Sequence, residues 1–249
     1  MKRVLFLLVV VAFAGLLLPD AVHAQAIPGI SLNVGQTDNP EKVVSTLQIV
    51  GLLTLMALAP MLVLMMTSFT RLIIVFHFLR QAMGAAQVPP AQLIVGLAMV
   101  LTFYIMSPTL NKINETALQP YLQGNLDQKT ALAEAVKPMK DFMLAQVREK
   151  DLALFINMSG HERPADETEI GLGVLVPAYV ISELRIAFQI GFVLYLPFLI
   201  IDMVVSSVLL AMGMMMLPPS LISLPFKLLL FVMTDGWFLI AQSLLSSFN

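Results

Sequence analysis

Three kinds of residue in this chain could do chemistry: a block of methionines, a few ions set inside apolar runs, and three histidines. The methionines are the anomaly. There are 17, against 13 Gly and 15 Pro, and Met212, Met214, Met215 and Met216 stand together ahead of Leu217, Pro218 and Pro219. Thioether sulfur is a soft ligand, so a cluster suits Cu(I). The side chain is also unbranched and adaptable, which allows two other readings. One is plain packing; the other is a compliant ring, if several copies of this turn meet around an axis. Asp202, Lys227 and Asp235 each lie within a long apolar stretch. A charge at the bilayer centre costs at least ~2.5–3.5 kcal/mol even on insertion scales. Such groups either face a wet interior and mark a function, or cap a helix, or pair with a neighbour. The histidines offer less. His23 lies near the N-terminus, His77 sits between Phe76 and Phe78, and His161 falls in a polar, turn-rich run. No HExxH, GxSxG or P-loop spacing occurs. The absence of Cys removes disulfides, zinc–cysteine sites and thiol nucleophiles together. The chain is therefore not expected to be an enzyme, and no metal or cofactor is expected.

The elements that must position these residues are apolar. Hydrophobic residues make up 58% of the 249 and charged ones 12%, where a soluble domain carries about 25% charged. Mean hydropathy is +0.87. A net charge of −2 gives no basic excess, so no nucleic acid is expected as a partner. Lys2 and Arg3, the apolar run from Val4 to Leu18 and the small residue Ala24 read as a secretory signal peptide over 1–24. The competing reading, a retained membrane helix, needs ~20 apolar residues and the run is shorter. Residues 25–42, with Pro28, Gly29, Asn33, Gly35, Asp38, Asn39 and Pro40, predict an irregular arm.

Four apolar segments follow. The first spans 43–69 with Pro60 inside, and the second runs from Leu93 to Met106 with Pro108 expected to stop it. Together they form a first hairpin over 43–107. The third spans 186–216 with Pro197 inside, and the fourth runs from Leu221 to Leu245. These form a second hairpin over 186–249 with the Met-rich turn at its tip. Between the hairpins, 108–185 is a polar insert. Within it Leu132, Val136, Met139, Met143 and Val147 recur at helical spacing. The fold class is thus all-α and membrane-associated: two long hairpins with an amphipathic helical insert. If the N-terminus is exported, residues 70–90 form a cytoplasmic loop whose Arg71 and Arg80 satisfy the positive-inside rule. Residues 109–185, with eight Lys/Arg against eleven Asp/Glu, then lie on the periplasmic side.

Two stretches are more specific. One runs Pro177-Ala178-Tyr179-Val180-Ile181-Ser182-Glu183-Leu184-Arg185 through Phe192; the other runs Pro225-Phe226-Lys227 through Thr234-Asp235-Gly236-Trp237. With Met214-Met215-Met216-Leu217-Pro218-Pro219 between them, the chain resembles the FliP family, the flagellar member of the type III secretion export-gate proteins. The likeness covers leader, hairpins and insert in order.

The resemblance implies a pore-forming subunit at the centre of the flagellar basal body in the bacterial inner membrane. It implies a homo-oligomer that assembles with FliQ and FliR, with FlhB around the entrance, FlhA around and below it, and unfolded flagellar subunits passing through. Energy would come from elsewhere. Carried onto this sequence, Met214, Met215 and Met216 match a pore gasket. Arg148 and Glu183 match a pair placed across neighbouring subunits, and Phe142 and Phe155 match apolar contacts in that interface. The resemblance also offers Asp202, Lys227 and Asp235 a home in protein–protein contact, with the hairpins leaning on neighbours above the lipid. The alternative is a stand-alone secondary transporter or Cu(I) carrier, suggested by broken helices, internal charges and clustered Met. The lack of Cys and of inverted internal repeats argues against it.

Overall fold

The computed structural model describes residues 40–84, 89–159, 170–214 and 216–248. The leader at 1–24, arm residues 25–39, the run 160–169 with His161, and Met215 lie outside the described residues. The chain divides into two units, 1–52 and 53–249. The described part of the first is only the start of helix α1, Pro40–Met65. Helix thus begins inside the stretch expected to be irregular.

Everything else belongs to the second unit. Its helices are α2 Phe69–Ala82, α3 Ala91–Ile113, α4 Gln119–Leu122, α5 Gln128–Gln146, α6 Glu149–Met158, α7 Leu172–Ala211, α8 Pro219–Met233 and α9 Gly236–Ser246; a π-helical turn, Asn114–Leu118, joins α3 to α4. No strand occurs among the described residues. Three stretches are long and apolar enough to cross a membrane: within α1, α3 continued through α4, and α7. The α8–α9 pair makes a fourth if its 63° bend is counted as one broken span.

Two expectations are corrected. The 70–90 region is not a loop: most of it is α2, which buries Arg71, Leu72, Val75, Phe76, Leu79 and Ala82 along one stripe. The apolar residues recur at helical spacing, so α2 is a core element, and Arg71 is not available as a surface charge for orienting the chain. Pro108 does not stop the second segment either; α3 carries through it to Ile113. A proline removes one backbone donor, and in apolar helices packing and local π adjustments absorb the defect. Here the π-helical turn begins six residues later. Pro60, Pro138, Pro177, Pro197 and Pro225 are likewise inside helices.

α2 packs chiefly on α7. The main core gathers Leu72, Val75, Phe76 and Leu79 of α2 with Ala98, Ala187, Phe198, Phe231 and Leu244. Gly191 allows the close approach: a Cβ there would stand 2.5 Å from the Phe78 ring. A second core, Met143, Ile170, Leu175 and Tyr179, joins α5 to the start of α7. The Tyr179 hydroxyl donates to the Thr67 carbonyl at 2.9 Å, tying α7 to the break between α1 and α2. α7 is 40 residues long, or about 60 Å at 1.5 Å per residue. That is roughly twice the ~30 Å hydrocarbon core of a bilayer, so α7 is too long to lie wholly in lipid unless steeply tilted.

Candidate functional site

Glu183 lies on α7 with none of its surface exposed. Burying a carboxylate requires a partner and full hydrogen bonding. Its partner is Arg71 of α2, itself 1% exposed. Arg71 Nε donates to Oε2 at 2.8 Å and Nη2 donates to Oε1 at 2.5 Å. This is the bidentate fork that Arg forms with carboxylates. Nη2 also donates to Gln146 Oε1 at 3.1 Å, so the last residue of α5 is drawn to the same point.

One residue before Glu183, Ser182 organises α6. Its hydroxyl accepts from the Arg148 backbone N–H at 3.1 Å and donates to Asp151 Oδ2 at 2.8 Å. Arg148 occupies the N-cap position of α6, where backbone donors otherwise lack partners, and Ser182 supplies an acceptor from α7. Within the chain the Arg148 side chain faces Asp151 at 3.8 Å, and its buried Nη1 makes no hydrogen bond. Arg148 and Glu183 are therefore not paired with each other inside one chain, and both Glu183 oxygens are already engaged. Phe142 packs edge-on to Tyr179 with ring centroids 6.2 Å apart. Phe155 is half-buried on α6.

The ions of α7 and α8 also pair. Lys227 Nζ of α8 donates to Asp202 Oδ2 of α7 at 2.6 Å and to the Ala82 carbonyl at the end of α2 at 3.0 Å. The Ser223 hydroxyl donates to Asp202 Oδ1 at 2.6 Å. One ammonium thus joins three helices. Gly84 closes α2 with φ +70°, and Lys227 Nζ lies 3.8 Å from where a Cβ on it would be. Only glycine enters that backbone region freely. Asp235 is apart from this group. It sits at the α8–α9 bend in the left-handed conformation, φ 51° and ψ 51°, with no side-chain cap bond.

The methionine turn follows α7. Met214 is partly exposed, and Met216 is 98% exposed; Gly213 reverses the chain with φ +74°. Beside the turn, Val204, Val208, Met212, Met214, Leu217, Ile222 and Phe226 line part of an apolar cleft of ≈640 Å³. Exposed apolar surface of this kind marks a contact site or lipid.

The sequence model of the FliP family matches residues 52–244. The chain belongs to the FliP family. It is 50% identical to the flagellar biosynthetic protein FliP of Bacillus subtilis over 87% of this chain and 98% of that one. It is 48% identical to the protein of the same name from Cereibacter sphaeroides, over 94% and 77%. With that of Caulobacter vibrioides it shares 45% over 100% and 92%. As a FliP family member with several helices able to span a membrane, it is a membrane-type flagellar biosynthesis protein.

Against this family frame, the structure adds residues that the sequence reading missed: Arg71, Gln146, Ser182, Asp151 and Ser223. Arg71 carried a signal. It is a cation in an otherwise apolar helical stripe, the same anomaly that singled out Asp202 and Lys227. Among the described residues no group of three His, Asp or Glu could hold a metal ion.

Proposed function

We propose that this FliP family chain is a pore-forming structural subunit of the flagellar type III export gate. In this reading several copies assemble with FliQ and FliR in the inner membrane, with FlhB and FlhA at the cytoplasmic entrance, and unfolded flagellar subunits pass through the centre. The leader at 1–24 is removed on export. The two hairpins stand side by side with neighbouring copies, and the α5–α6 insert lies on the periplasmic side.

The observation that carries the reading is the Met turn. At the tip of an apolar hairpin Met216 stands 98% exposed, beside an apolar cleft that Met212 and Met214 help to line. A ring of such turns would seal a pore and yet deform around a passing chain. Met214, Met215 and Met216 form that gasket. Arg148, Phe142 and Phe155 lie on the face that meets a neighbour, and the unsatisfied Nη1 of Arg148 calls for an acceptor from outside the chain. Glu183 supports this face from beneath by holding Arg71, while Ser182 beside it accepts from the Arg148 backbone N–H. No observation favours the transporter or copper alternative. Its internal charges, Asp202 and Lys227, are matched to each other.

The test is conductance. Replacing Met214, Met215 and Met216 with Ala is expected to leave the purified complex at full size and to raise leakage of small ions through the closed pore. Wild-type conductance in planar bilayers would reject the gasket.

A further inference from the structure

A guanidinium has five N–H donors in a rigid fork. Buried Arg71 uses all of them. Three go to Glu183 and Gln146, as described above. The other two, both on Nη1, go to the end of the chain: to the Ser247 carbonyl at 2.8 Å and the Ser247 hydroxyl at 2.9 Å. Phe248 then covers the guanidinium, its ring centroid 3.8 Å from Cζ. The same ring stacks on Phe142 of α5, with centroids 6.3 Å apart and planes 17° apart. The Phe248 carbonyl accepts from Gln146 Nε2 at 3.3 Å. The tail beyond α9 therefore touches α2 and α5 at once, around one cation.

From this geometry we infer that Ser247–Phe248 is an intramolecular latch, and that Arg71 is the positioning residue through which it holds α5. The bonds divide by element. Glu183 ties Arg71 to α7, Gln146 ties it to α5, and Ser247 to the end of α9. Phe248 fills the space between Arg71 and Phe142, so its docking fixes how α5 presents that side chain. Without the tail, two charged donors lose their acceptors, the guanidinium loses its cover, and Phe142 loses one of its two ring partners. Arg71 must then recruit water or turn away from Gln146, and α5 is released. The inference rests on the reading of the Phe142, Arg148 and Phe155 face as an assembly surface; on that reading the latch makes assembly depend on Ser247 and Phe248.

Hydrogen exchange on the purified chain in detergent, read by segment, tests it. A chain ended after Ser246 and a full-length Phe248→Ala variant are each expected to raise exchange across α5 by about tenfold or more, as local opening does. Exchange across α8, which the latch does not touch, stays at the wild-type level. Arg71→Lys keeps the charge but not the fork, and is expected to match the shortened chain in α5. Oligomer size, measured on the same samples, is expected to fall. Unchanged α5 exchange in the shortened chain and in Phe248→Ala overturns the latch, whatever the oligomer does. Exchange that rises equally in α5 and α8 also overturns it, because the tail would then be a general stabiliser. A full-size oligomer with α5 released upholds the latch and rejects the assembly face, so the two failures are distinguishable.

Discussion

The Lys227–Asp202 tie makes an asymmetric prediction. The Lys227 side chain is 5% exposed and that of Asp202 33%. Breaking an ion pair strands whichever partner remains, and the penalty follows how dry that partner is. Lys227→Met leaves a carboxylate that keeps its Ser223 bond and is reached by water. It also frees the Ala82 carbonyl. Two charge-assisted bonds at ~1.5–3 kcal/mol each, discounted for the wet carboxylate, give a loss of about 3 kcal/mol. Asp202→Ala strands a buried ammonium with only the Ala82 carbonyl, and the loss rises to about 4 kcal/mol. The double variant strands no charge, so it is expected to lose about 3 kcal/mol rather than the sum. At ~2–4 °C per kcal/mol for a chain of this size, Lys227→Met melts about 9 °C lower and Asp202→Ala about 12 °C lower. The single tryptophan, Trp237, packs edge-on to Phe231 of α8 with centroids 5.3 Å apart. Its fluorescence during heating in detergent is the assay. Equal or reversed single losses, or additive losses in the double variant, would refute the assignment of the buried and wet partners.

Two further predictions concern packing and capping. Gly191→Ala places a Cβ 2.5 Å from the Phe78 ring; it is expected to destabilise by about 1–3 kcal/mol as overpacking does, and Phe78→Leu in the same chain should recover part of the melting temperature. At the start of α5, Asp127 accepts from the Lys129 N–H at 3.2 Å and from the Thr130 hydroxyl. The Thr130 bond, foremost, holds the Asp127 carboxyl below its ordinary value of 3.8. A depressed folded-state value stabilises above the unfolded one and is lost as pH falls through it. Amide protection in the first turn of α5 is therefore expected to be flat above pH ~4 and to decline beneath it. Asp127→Asn, which keeps a capping acceptor, should abolish that decline.

The sequence announced the membrane helices, because long apolar runs have few other fates, and it marked the Met turn, because apolar turns are rare. It misplaced α2. Arg71 and Arg80 lie in the first and last turns of that helix, and charges at both ends of a short segment suggest a loop, although Leu72, Val75, Phe76, Leu79 and Ala82 carry the helical period. Glu183 was marked as a paired carboxylate, yet its partner within the chain lies in a helix whose character had been misread. The Asp202–Lys227 tie is a different case. The two residues stand at nearly equal distances before and after Met214–Met215, so an antiparallel hairpin brings them level. Hairpin symmetry alone would have paired them. The latch was out of reach, since a Ser-Phe dipeptide at a chain end carries no pattern.

The two charged ties divide the labour of α7. Glu183 and Asp202 are nineteen positions apart on it, or about 28 Å along the axis. Both reach α2: Glu183 through Arg71 near its start, Asp202 through Lys227 at its final carbonyl. The apolar stripe of α2 packs on α7 within that interval. The middle of α7 is thus fastened at two points and packed between them, while beyond Asp202 its residues Val204, Val208 and Met212 line the cleft at the turn. Fastening of that kind lets a subunit be rigid and compliant in different places. Near the Arg71 tie, buried and fully bonded, α5 and α7 are held to α2 at one point. Beyond the Lys227 tie the methionine turn carries no ion pair among its described residues. Its position is set by how far α7 and α8 splay from that last tie, about 15 Å below the turn. Loosening the tie should therefore move the methionines before it disturbs the insert.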